Sequence, residues 1–85
     1  MMDAKEAVRL ATAYFHNLLD NRDLPGLELE EVEKSPDGLH WLVTLSYVRR
    51  VLLAEQRIYK QFKVDAETGE VVSMTIRLLD ASQLR

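Results

Sequence analysis

Ser35-Pro36-Asp37-Gly38-Leu39-His40-Trp41-Leu42-Val43-Thr44-Leu45-Ser46-Tyr47-Val48 reads as a chain reversal followed by a strand. Pro36 suits the second position of a type I turn through its fixed φ, and Gly38 stands where the chain must double back. From Leu39 the residues alternate with a period of two. Leu39, Trp41, Val43, Leu45 and Tyr47 share one face, and His40, Leu42, Thr44, Ser46 and Val48 share the other. The first face is the core face. Burial at about 1.5–3 kcal/mol per large side chain makes Trp41, Val43 and Leu45 the expected centre of stability.

A strand entered through a tight turn requires a partner before it, and residues 27–34 supply one. Leu27 and Leu29 alternate, and Glu30-Glu31 ahead of Val32 then breaks the phase, so a bulge or weak edge pairing is expected there. Upstream, Ala4, Ala7, Val8, Ala11, Phe15, Leu18 and Leu19 recur at helical steps, widened by Leu10 and Tyr14, which predicts a helix over about 4–19. Asp3 and Glu6 have capping-box spacing at its start. Ala7 and Ala11 allow close approach to a sheet, Phe15 and Leu18 fill the far end of the contact, and Lys5, Arg9, Thr12 and Asn17 face solvent. The segment Asn21-Arg22-Asp23-Leu24-Pro25-Gly26 then ends the helix, because Pro25 restricts Leu24 and Gly26 frees the backbone.

Downstream, strands are predicted over about 57–64, with Ile58, Phe62 and Val64 on one face, and about 70–79, with Val72, Met74, Ile76 and Leu78. Asp65-Ala66-Glu67-Thr68-Gly69 is expected to join them, with Gly69 able to take the positive φ that ends such loops. Asp80 to Arg85 carry no further pattern and are expected to fray. The fold class is α+β: one N-terminal helix packed on a 3-4-stranded antiparallel sheet, an α-β-β-β-β meander forming a single domain over residues 1–85. The element order and the run Phe62-Lys63-Val64-Asp65-Ala66-Glu67-Thr68-Gly69-Glu70-Val71-Val72 resemble PepSY-like domains, of cystatin-like α+β architecture, whose closing hairpin has a similar Asp-Ala-x-Thr-Gly turn. The resemblance implies a small binding or inhibitory module and carries no catalytic residues across.

With 85 residues, 47% of them hydrophobic and 29% charged, the chain has the composition of one globular domain. A domain of this size buries only about 60–65% of its unfolded surface, so partner surfaces are a common source of added stability. A net charge of −3 gives the molecule no overall footprint for nucleic acid. The absence of cysteine excludes disulfides, thiolate metal sites and thiol catalysis. No basic-then-apolar leader and no run of about 18 apolar residues is present, so a cytoplasmic protein with no membrane partner is expected.

Candidate chemistry is sparse. His16 and His40 lack metal-ligand spacing, Ser46 and Ser73 lack a nucleophile elbow, and no glycine-rich phosphate loop occurs. Neither enzyme chemistry nor a cofactor is expected. Glu28, Glu30, Glu31 and Glu33 read as solubilising carboxylates on an edge strand. Arg49, Arg50, Arg57, Lys60 and Lys63 beside Tyr59 form a candidate basic stripe for single-stranded nucleic acid or a small ligand, a weak reading beside pairing with the acidic strand.

The connector between the second and third strands is the anomaly. Val48-Arg49-Arg50-Val51-Leu52-Leu53-Ala54-Glu55-Gln56 has no glycine, proline, asparagine or aspartate, and is apolar where a turn is normally polar. It forms either a long hairpin arm or a short helical turn, and Val51, Leu52 and Leu53 are hard to bury on so small a body. The leading expectation is a non-catalytic protein-interaction module, binding a partner protein or forming a homodimer. Its surface is Val48, Arg49, Arg50, Val51, Leu52 and Leu53, with Leu42, Val48, Val71 and Leu79 on the outer sheet face. The PepSY likeness implies as an alternative a peptidase inhibitor or chaperone-like accessory.

Overall fold

The computed structural model describes residues 2–20 and 24–77, with the Val51 side chain outside that set. The helix α1 (Ala4–Leu18) is followed by β1 (Glu28–Lys34), β2 (His40–Val51), β3 (Ala54–Asp65) and β4 (Val71–Ile76). The strands form one antiparallel sheet in the order β1-β2-β3-β4, with the helix on one face. This is the α+β meander expected from the sequence.

Asp3 starts the helix by accepting a 2.9 Å hydrogen bond from the Glu6 amide. The capping box is only half formed, because the Glu6 carboxylate turns to Arg9 at 2.6 Å instead of reaching back. Ala7, Ala11 and Phe15 face the sheet and are buried. Phe15 packs edge-on against Phe62 and Tyr47, with ring centroids 5.3 and 5.5 Å away. Leu18 does not fill the far end of this contact. It stands 49% exposed in the last turn, where Leu19 packs on the core and the positive φ of Asp20 ends the helix.

Val43, Leu45, Phe62 and Val64 complete the core, with Trp41 and Tyr47 packed at its margin. Trp41 is braced by its Nε1–H on the Met2 carbonyl and by the Lys34 ammonium over its ring. Leu39 is a correction: it precedes the first β2 residue and is exposed. The β1 register slips between Leu29 and Glu31, so Glu30 is the extra residue of a bulge where the sequence placed one.

A second slip between Lys63 and Val64 pairs Val64 with Val71. Val71 therefore takes the core position assigned to Val72, and Val72 is left exposed. Met74 packs inward as expected, and Ile76 is exposed beyond the helix. Leu78 and Leu79 lie outside the described residues.

Candidate functional site

β2 and β3 are longer than their neighbours. β1 pairs with β2 only to Ser46, and β4 reaches β3 only to Tyr59, through the Arg77 amide. Five further β2–β3 pairs, from Tyr47↔Ile58 to Val51↔Ala54, continue as a two-stranded arm, about 15 Å long at the usual strand rise. The connector thus takes the extended alternative, with Leu52-Leu53 as a two-residue turn.

Leu52 adopts φ +57°, whereas Leu53 stays at negative φ. A positive first φ belongs to the II′ pattern, in which glycine is preferred. Leu52 is 91% exposed and Leu53 is fully exposed. Leu52 therefore occupies a turn position better suited to glycine, and both leucines stand exposed at the tip of the projection. Arg49 and Arg50 are exposed just behind them, and Arg50 pairs with Glu55 across the ribbon at 2.9 Å. Val48 is half-buried at the arm's root, where its amide donates to the Pro25 carbonyl.

Below the arm, the sheet face away from the helix is sealed without a second layer. Thr44 and Ser46 are buried there, beneath two arginines. Arg57 on β3 donates to the Ser46 hydroxyl at 2.7 Å and the Gly26 carbonyl at 2.9 Å, and approaches Glu28 on β1. Arg77, just beyond β4, reaches Thr44 at 2.9 Å and the Glu31 carboxylate. Ser46 in turn donates to Glu30 at 2.6 Å. Small hydroxyl residues in the middle strand let long side chains from one flank lie across to carboxylates on the other. The bulge at Glu30 supplies the extra one. An open depression of about 190 Å³ remains, lined by Glu30, Glu31, Thr44, Tyr59 and Arg77.

This arrangement revises the outer-face expectation. Leu42 and Val48 lie on that face and are half-buried, but Val71 points to the core. The basic stripe is also divided. Lys60 and Arg49 pair with Leu45 and Gln56 on the helix side, whereas Arg50, Arg57 and Lys63 lie on the other. The pairing of basic residues with the acidic strand is present in Arg57–Glu28, and Arg77, which the sequence reading did not single out, adds a second strap.

His16 lies in the last helical turn and His40 opens β2. No three His, Asp or Glu side chains among the described residues converge as a metal site requires, and no described helix is long and apolar enough to cross a membrane. Comparison with protein-family models, with curated proteins and with solved structures gave no match.

Proposed function

We propose that this domain is a non-catalytic protein-interaction module that presents the β2–β3 arm as its docking element. The observation that carries the reading is the pair Leu52 and Leu53, at 91% and 103% exposure, on a turn that polar residues or glycine would fill better. Exposed leucines held in an unfavourable turn cost stability and solubility in the isolated chain, and that cost is offset when a partner covers them. The likeness to PepSY-like domains rests on the element order and the run from Phe62 to Val72, in which the polar groups of Asp65 and Thr68 hold their own turn together. It therefore supports a fold more than an inhibitory activity.

Site-specific photo-crosslinking in cells tests the reading. A photoreactive side chain at position 53 should give discrete protein adducts, and the same group at Lys5, on the exposed helix face, should not. Equal yields at the two positions would overturn it.

A further inference from the structure

The outer face of the sheet indicates what the arm docks on. Among the described residues no second layer covers it, since the helix lies on the opposite side. Cross-strand partners share a face, so the arm shows Arg50 and Glu55 there, then Val48 and Arg57, and at its root Ser46 and Tyr59. Tyr59 is one wall of the depression over Thr44, and Glu30, Glu31 and Arg77 are the others. The Arg49↔Gln56 pair stands midway, with Leu52 and Leu53 three positions toward the tip and Ser46 and Tyr59 three positions toward the body.

A ribbon with that spacing complements itself. Two arms stacked antiparallel, outer face on outer face and about 10 Å apart, are related by a twofold axis level with Arg49 and Gln56. Each turn then lies over Ser46 and Tyr59 of the other copy, at the mouth of the depression. The Tyr59 ring and the aliphatic stem of Arg77 offer the leucines apolar contact there. The contact is between faces, so the flank of β2 that Glu28 and Pro25 occupy is undisturbed.

The charges agree with that placement. One position from the axis, Glu55 stands over Arg57 of the other copy. Arg50 stands over Val48, within a long side chain's reach of the exposed Glu28 on the neighbouring strand. Within one chain Arg50 and Glu55 pair with each other, in a solvent-exposed contact that is readily exchanged. Stacking through the helix-side face is disfavoured, because the same axis would set Arg49 of one copy against Arg49 of the other.

We infer that the arm's partner is a second copy of this chain, in a dimer whose arms stack outer face to outer face and whose tip leucines close each other's depression. The inference rests on the interaction-module reading and adds the identity of the partner and the site it offers.

Charge reversal with mixing tests it, with mass read by light scattering. Arg50→Glu alone and Glu28→Arg alone each place like charges at both contacts of the dimer, and should lower its affinity by about tenfold or more. An equimolar mixture should restore a heterodimer, since both of its contacts are again of opposite charge, and that rescue also shows that both variants fold. A wild-type chain that stays monomeric, or a mixture no tighter than either variant, overturns the inference. Photo-crosslinks from position 53 separate the two levels. Adducts at Tyr59 and its neighbours in a second copy support the stacked arms, and adducts elsewhere on a second copy overturn them. Adducts with another protein alone remove the second copy and leave the module, whereas no specific adducts remove both.

Discussion

Ser46 is the residue on which the outer face turns. Its hydroxyl accepts from Arg57 and donates to Glu30 with no exposure to water, so both roles are lost together on substitution. Ser46→Ala should lower the unfolding free energy by about 1–3 kcal/mol, the cost of leaving buried polar partners unsatisfied, as read from urea denaturation. Leu52 should respond in the opposite direction. Glycine at this position relieves the positive φ, and Leu52→Gly is expected to gain up to about 1 kcal/mol in the isolated chain while weakening association. A stabilised variant that binds less well would separate the tip's functional role from a folding role. Gly26 shows why the arm's root tolerates no side chain. It has φ +66°, and an added Cβ would stand 2.9 Å from Val48 Cγ2, so Gly26→Ala should destabilise through both strain and contact.

The two turns that bracket the central hairpin each hold an aspartate whose ionised form the fold favours. Asp37 accepts from the Ser35 hydroxyl and the Leu39 amide, and Asp65 accepts from the amides of Thr68 and Glu67. These hydrogen bonds hold both carboxyls below the usual aspartate range. A lowered folded-state value stabilises the fold fully above the unfolded value of about 3.9. The contribution is lost as pH falls through the folded values, because the unfolded chain then binds protons first. Urea midpoints should therefore fall below about pH 4, and Asp65→Asn should flatten that dependence. A slope unchanged in Asp65→Asn would assign the acid response elsewhere. On the helix, Phe15→Ala should cost about 3–5 kcal/mol, because Phe15 bridges Phe62 and Tyr47 and is 2% exposed.

Elements with local signatures were legible in the sequence. The Asp3 cap, the Ser35–Gly38 turn, the Asp65–Gly69 turn and the alternation from Trp41 to Tyr47 each rest on residues a few positions apart, and the Glu30 bulge showed as a break in alternation. What escaped was set by distant neighbours. The phase of β4 depends on a slip against β3, so Val71 and Val72 exchanged roles. The burial of Thr44 and Ser46 depends on Arg57 and Arg77, from parts of the chain that alternation along β2 says nothing about. The candidate site was visible as a composition anomaly at 48–56. That the anomaly is an arm follows from the unequal lengths of four strands, which the sequence marks weakly because Ala54-Glu55-Gln56 has no strand pattern of its own.

At the scale of the molecule, an 85-residue sheet with one helix has little apolar surface to spare, yet it places two leucines where its own fold cannot cover them. The central claim is that they are covered on association. Light scattering on the wild-type chain and on Leu52→Asp/Leu53→Asp, over a wide concentration range, tests it most directly. The account predicts a wild-type mass that rises from 9.8 kDa toward twice that value, and a double variant that remains at the lower mass while still unfolding cooperatively in urea. A double variant that associates as tightly as the wild type would contradict it.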